Sequence, residues 1–386
     1  MPNRKFLIHE ETKARCNIIP VPKDLDQRFN RISMELFHFL YEADSIDFSI
    51  FFRAGSDLIE FITPKELSKE LLDKIKNAMN RDYDCIAPYI LKNKAPNLQN
   101  VITKVRQEKI ESLLEKDPNL DRKTLEIFGN LSNASQMIVK GGIGPTMAAQ
   151  VTASASVLVD SLMNCEIAID TLSKMIHCDP TLYDHSATVA MLSGLIGNRL
   201  IKNRLNYKQT AIIAQCGLYH DVGKTCIPHH ILNKPTSFEP DEFEIMKTHT
   251  TEGNTELNKA IEQGAPIEPI CARVALEHHE RFMGHGYPFG KKGRLEESPN
   301  GIHLYTRIVT VADVYSALLM QRVYKPAYEP SEAIKIMVDV AEKDYDPDIF
   351  LPFLKEVLKS LNYYTEPEDK EPESKLIITD DWKKSS

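Results

Sequence analysis

Two adjacent histidines, His278 and His279, open a polar stretch that closes on Gly286-Tyr287-Pro288, a combination poorly suited to a buried apolar core. Adjacent imidazoles leading into a turn rich in Gly and Pro suit a metal site beside a loop that shapes a ligand pocket. Upstream stand His220-Asp221-Val222-Gly223-Lys224 and the isolated His249, and downstream Val311-Ala312-Asp313 ends an apolar run. The fold must bring these scattered residues together, and helices can do so. Neighbouring residues on a helix point about 100° apart, so one helix end bearing His-Asp can serve two metals, or one metal and a bridge.

Imidazole together with carboxylate suits Fe, Mn, Zn or Ni, whereas an all-oxygen set would suit Mg or Ca. With His185 added, the chain offers His185, His220, Asp221, His249, His278, His279 and Asp313. Seven ligands exceed what one first-row ion can bind with a position left open for water. Two ions sharing a carboxylate would use them, and ions roughly 3.5–4 Å apart can activate a water against a phosphate ester. Any one of these histidines alone reads as a satisfied core or surface group; their conjunction points to metal. Asp313 within Ile308–Asp313 strengthens the case, since an unpaired buried carboxylate costs several kcal/mol.

From about Asp184 to Tyr328 the chain resembles the HD-GYP domain, a bacterial all-helical metallophosphohydrolase of the larger HD superfamily that cleaves cyclic di-GMP. The motifs that carry the resemblance run in order. They are His185-Ser186, Leu218–Lys224 with Ile227-Pro228 and Ile231–Pro235, Met246–His249 with Gly253, His278–Arg281 through Gly286-Tyr287-Pro288, Arg307–Asp313, and Arg322–Lys325. The resemblance implies that His185, His220, Asp221, His249, His278, His279 and Asp313 ligate two divalent transition-metal ions, Fe or Mn, with Asp221 bridging. It implies that Lys224 meets a phosphate oxygen and acts with Asp221 in catalysis, against the plainer alternative of a solvated lysine. It further implies that Arg322 and Lys325 contact phosphate or guanine, that Tyr287 lines the guanine pocket, and that Gly284, Gly286 and Pro288 shape its loop.

The chain departs from the family's usual pattern at three places outside the ligand set: Met283 and Ser316 stand where Asp is common, and Thr188 where Arg is common. Some members hold a third metal through a Glu that precedes the first His by one helical turn. Thr181 occupies that place, so two metals are expected.

The 386 residues allow two domains, and 42% hydrophobic residues allow an ordinary core. A net charge of −8 argues against a nucleic-acid polymer as partner. Seven cysteines without Cys-x-x-Cys spacing read as reduced thiols. No apolar signal run opens the chain and no stretch approaches 18 apolar residues, so a cytoplasmic protein without a membrane span is expected. The fold class expected is mainly α: an all-helical HD-type bundle in the C-terminal part, preceded by a small α/β N-terminal domain.

The expected boundaries are an irregular arm over 1–28, an α/β input or dimerisation module over 29–97, a helical linker region over 98–180, the HD-GYP-like domain over 181–362 and an acidic, disordered tail over 363–386. Within the α/β module the pattern gives an amphipathic segment (Phe29 to Tyr41), strand-like runs at Ile46–Phe52, Leu58–Ile62 and Cys85–Leu91, and a helix from Pro64 to Met79. The apolar run Met147 to His177 is read as a linking helix that packs on its partner in a homodimer, or as the first helix of the catalytic bundle; the N-terminal domain is the other candidate for dimerisation.

Two functions follow from the residues and the resemblance. One is a phosphodiesterase in bacterial second-messenger signalling that opens cyclic di-GMP to pGpG and on to GMP through a hydroxide activated by two metals. The other is a receptor that holds metals and a cyclic dinucleotide, turns over poorly and signals through a protein partner.

Overall fold

The computed structural model describes residues 17–32, 39–54, 56–64, 67–70, 72–73, 88–141, 143–164, 184–232, 234, 236–320 and 327–363. The chain divides into two compact units, residues 1–112 with 228–234, and residues 113–227 with 235–386.

The first unit is built on a five-stranded antiparallel sheet of β1 (Asn17–Pro20), β2 (Phe29–Arg31), β3 (Ile50–Ala54), β4 (Asp57–Ile62) and β5 (Pro88–Leu91), in the order β1-β4-β3-β5-β2. Alternation along the strands sends side chains to opposite faces, and both faces are apolar. Ile50, Phe52, Ile62 and Ile90 join one core with Leu98, Ile102 and Val105 of helix α1 (Ala95–Lys116). Phe29, Phe51, Leu58 and Tyr89 form the other, where the Phe29 and Phe51 rings meet edge to face at 5.2 Å.

The sheet corrects the sequence reading in two places. Residues 17–20, inside the stretch read as an irregular arm, pair with β4, Asn17 opposite Glu60 and Pro20 opposite Asp57. Phe29–Arg31, read as the start of an amphipathic segment, is strand β2 paired to β5. Both strands are too short to show a period. Ladder hydrogen bonds to distant partners set their conformation, a non-local effect that outweighs local propensity. The first strand-like run begins at Ile50 rather than Ile46. Most of the expected Pro64–Met79 helix, residues 85–87 of the third strand-like run and residues 364–386 of the tail lie outside the described residues.

The second unit is helical. After the end of α1 come α2 (Arg122–Gly141), α3 (Pro145–Asn164), α4 (His185–Leu195), α5 (Tyr207–Tyr219), α6 (Pro240–Lys247), α7 (His249–Glu262), α8 (Pro269–Glu277), α9 (Leu304–Leu319), α10 (Pro330–Asp344) and α11 (Pro347–Ser360). Helices α2 and α3 fall in the region read as a linker, yet they belong to the body of this unit. They bury Leu125, Phe128, Leu131, Val151, Leu158 and Leu162, and Leu158 and Leu162 close on Gly194 of α4. So much apolar surface is driven out of water and cannot face solvent along a linker. The long run read as a dimer helix is described only as far as Asn164. Among the described residues no helix is long and apolar enough to cross a membrane.

Two contacts between elements bring the second unit's helix ends close. A side chain at Gly217 of α5 would lie 2.7 Å from the Cα of Ala190, so α4 and α5 touch backbone to backbone. A side chain at Gly223, in the short helical turn Val222–Cys226, would lie 1.9 Å from the His249 carbonyl oxygen.

Candidate metal centre

Six of the seven expected ligands sit at or next to a helix end, Asp313 lies inside α9, and one local device recurs. His220, His249 and His278 each place Nδ1 against the carbonyl oxygen three residues earlier, Gly217 at 2.7 Å, Met246 at 2.7 Å and Ala275 at 2.9 Å. A carbonyl only accepts, so Nδ1 carries a proton in each ring and Nε2 is the atom turned toward a ligand. His185 opens α4 just after Asp184, whose Oδ1 accepts from the Ala187 amide at 2.9 Å and whose Oδ2 accepts from Ser132 Oγ at 3.0 Å. The Nδ1 of His185 lies 3.0 Å from Ser316 Oγ.

The Nε2 atoms converge in two sets on the carboxylate of Asp221. Its Oδ2 lies 3.2 Å from His220 Nε2 and 3.6 Å from His185 Nε2. Its Oδ1 lies 3.5 Å from His249 Nε2 and 3.7 Å from His278 Nε2. Asp313, projecting from α9, brings Oδ1 to 3.1 Å from His185 Nε2 and 3.7 Å from His220 Nε2. His279 joins His249 and His278 in a third possible ligand group. The structure thus brings together all seven expected ligands.

The donor set fits metal ions. His220 Nε2 and His185 Nε2 stand 3.3 Å apart, and His249 Nε2 and His278 Nε2 3.4 Å apart. Separations of this size are those of neighbouring donors around one ion at roughly 2.0–2.2 Å. Asp221 Oδ1 is buried and accepts no hydrogen bond, an acceptor left for a cation. Protonation agrees. Burial opposes ionisation of Asp221 and Asp313, but Lys224 and His220 hold Asp221, and His185 and His220 hold Asp313, well below the usual carboxylate range. Burial lowers His185, holds His279 well below the ordinary imidazole value and pushes His249 down to about 4. At His220 burial is outweighed by Asp221 and Asp313, which lift the imidazole to about 10, so a proton occupies the position a metal would take.

Lys224 lies one helical turn beyond His220-Asp221, with its Nζ 2.5 Å from Asp221 Oδ2. The Tyr287 ring stacks on His279 at 4.6 Å and 21°, and its amide donates to the His279 carbonyl at 3.2 Å. Gly286 has no room for a side chain, since a Cβ there would lie 2.4 Å from both the Arg281 nitrogen and the His279 oxygen. Gly284 has φ +87°, a left-handed conformation that glycine adopts at little cost. Tyr287, Gly286 and Pro288 are therefore beside the histidine cluster, while Arg322 and Lys325 lie outside the described residues.

Sequence reasoning missed the groups that hold these parts. Ser316 stood out only as a departure from a family pattern, and it contacts His185 from across 131 residues. Thr310 Oγ1 donates to the His278 carbonyl at 2.8 Å, and its place three residues before Asp313 on one helix face was the available signal. Glu280, directly after the histidine pair, is 1% exposed and accepts from the Phe289 and Lys291 amides, each at 2.8 Å. Glu280→Gln should turn an NH2 toward one of those amides, at a cost of about 1–3 kcal/mol. The expected result is a fall in melting temperature of roughly 2–12 °C with bound metal unchanged, read by thermal denaturation and metal analysis of one preparation.

Comparison with known proteins agrees with this geometry. Residues 170–349 match a family model described as "HD domain". The chain is 35% identical over 193 residues to a cyclic di-GMP phosphodiesterase of Thermotoga maritima, covering 50% of this chain and 49% of that protein. It is 32% identical over 210 residues to the cyclic di-GMP phosphodiesterase PA4108 of Pseudomonas aeruginosa, covering 53% and 47%. A 3'3'-cGAMP-specific phosphodiesterase 3 of Vibrio cholerae is 29% identical over 210 residues, covering 54% and 42%. The chain thus matches about half the length of these curated relatives. Among solved structures, Bd1817, described as a HDG"Y"P protein from Bdellovibrio bacteriovorus, superposes with a TM-score of 0.53 at 18% identity over 86% of this chain and 99% of that one, a likeness of fold. With the motifs in order and their side chains gathered in one helical unit, residues 170–349 are an HD domain, and the matches to cyclic di-GMP phosphodiesterases support placing that domain with the HD-GYP family.

Proposed function

We propose that this protein is a metal-dependent phosphodiesterase that opens cyclic di-GMP to linear pGpG and carries it on to GMP. The observation that carries the reading is the placement of Asp221, with one oxygen toward His185 and His220 and the other toward His249 and His278. His185, His220 and Asp313 would hold one divalent transition-metal ion, Fe or Mn, and His249, His278 and His279 a second, with Asp221 shared. Once bound, such ions supply Lewis acidity toward a phosphoryl oxygen and acidify water at neutral pH.

The protein's own groups do the rest. Lys224, paired with Asp221 in this structure, would offer its ammonium to a phosphate oxygen. Tyr287 lines the place for a guanine, and its stacking on His279 keeps that place close to the scissile phosphate. Arg322 and Lys325 supply charge for the phosphate or guanine. Charge-assisted contacts of this kind contribute roughly 1.5–3 kcal/mol, so Arg322→Ala and Lys325→Ala should each lower kcat/KM by about one to two orders of magnitude with metal content unchanged. Loss of metal in either variant would move that residue to the fold or the ligand set.

The decisive experiment measures metal content and cyclic di-GMP cleavage on the same preparation. Expected are pGpG as first product, loss of turnover on chelation and its return with Mn2+ or Fe2+. Tight binding without product would replace the enzyme by the receptor reading. Running 3'3'-cGAMP in parallel tests the substrate of the Vibrio cholerae relative.

A further inference from the structure

We propose that Asp344, at the C-terminal end of α10, is a positioning residue that holds the Gly-Tyr-Pro loop in register for a cyclic dinucleotide. The inference rests on the reading of the site as a phosphodiesterase and concerns a residue far from the ligands in sequence. Its carboxylate is divided between two loop side chains. Asp344 Oδ2 lies 3.3 Å from Arg281 Nε, and Asp344 Oδ1 lies 2.8 Å from His285 Nε2. The backbone repeats the attachment, for the Phe282 amide donates to the Asp344 carbonyl at 3.1 Å and the Met283 amide to that of Lys343 at 2.9 Å.

The side chain of Met283 is 48% exposed, so that residue is held through its backbone. Arg281 and His285 bracket it and lead directly into Gly286 and Tyr287. Asp344 therefore acts through them on the ring stacked against His279, and it touches none of the expected ligands itself. The carboxylate accepts from both groups, whereas an asparagine would accept from Arg281 without the charge and present its N–H to His285, which would have to take the other tautomer. The carboxylate thus narrows the conformations of a turn that carries the pocket residue, so its loss should appear mainly in substrate binding.

The test compares the full chain with Asp344→Asn, Asp344→Glu and His285→Ala, all loaded with Mn2+, on two substrates. One is cyclic di-GMP; the other is bis(p-nitrophenyl) phosphate, a small diester without nucleobases. Expected for Asp344→Asn is a rise of about tenfold in KM for cyclic di-GMP, with kcat changed less than about threefold and the small diester cleaved as by the parent. His285→Ala, altering a half-exposed side chain, should shift KM in the same direction, and Asp344→Glu should restore part of the loss. An unchanged KM, or an equal fall for both diesters, overturns the proposal. Amide hydrogen exchange across residues 281–289 decides it independently of turnover. Faster exchange in Asp344→Asn than in the parent supports the anchor, and equal exchange overturns it. A parent that fails to cleave cyclic di-GMP counts against the phosphodiesterase reading alone.

Discussion

Asp221→Ala is expected to abolish cleavage of cyclic di-GMP and to strip the protein of metal. This carboxylate faces both histidine sets, with Oδ2 3.2 Å from His220 Nε2 and Oδ1 3.5 Å from His249 Nε2. Without it, two cations would face each other across a buried space lacking the anion between them, where repulsion is weakly screened. Outer partners of metal ligands usually cost 10–100-fold in metal affinity or activity, and a shared ligand should cost more than about 100-fold. Removing His185 instead should leave the His249, His278 and His279 set intact. Metal analysis and turnover on one sample check this: a variant that keeps two metals per chain and normal activity would refute the bridging role.

Gly223→Ala should be among the most damaging single methyls in the helical unit. Its Cβ would sit 1.9 Å from the His249 carbonyl oxygen and 2.4 Å from the Gly253 nitrogen, both backbone atoms that cannot swing aside. Overpacking typically costs about 1–3 kcal/mol, and a backbone obstacle puts this case at or above the upper end. The melting temperature should fall by roughly 6–12 °C. Since the turn that would be displaced follows Asp221 directly and packs on α7 at His249, metal affinity should fall as well. Gly264→Ala makes a useful control. Gly264 has a positive φ, which Gly223 lacks, and nothing within 4 Å of a Cβ, so the substitution should lower stability modestly and leave metal binding alone. Equal metal affinity in Gly223→Ala and the parent would show that the turn and α7 are not coupled to the site.

The residues that could bind metal were readable from the chain because that chemistry is local. An imidazole or carboxylate is a ligand type wherever it stands, and His-Asp at the end of an apolar helix, or His-His before a Gly-rich turn, announces itself through short-range pattern. The helices α4 to α11 were readable for a similar reason, since periodicity and caps such as Asn206 before Tyr207 act within a turn or two. Packing supplied the rest. Which oxygen of Asp221 faces which histidines depends on α5 meeting α4 and α8, and on the turn after α5 meeting α7. The pairing of Ser316 with His185 spans 131 residues, and that of Asp344 with His285 spans 59. Strand β1 exists because β4 offers it a ladder, and α2 and α3 join the helical body because α4 and α5 cover their apolar faces. Donor type is a property of one residue; donor direction and partnership are set by backbone contacts such as that of Gly217 with Ala190, which form only when distant segments meet.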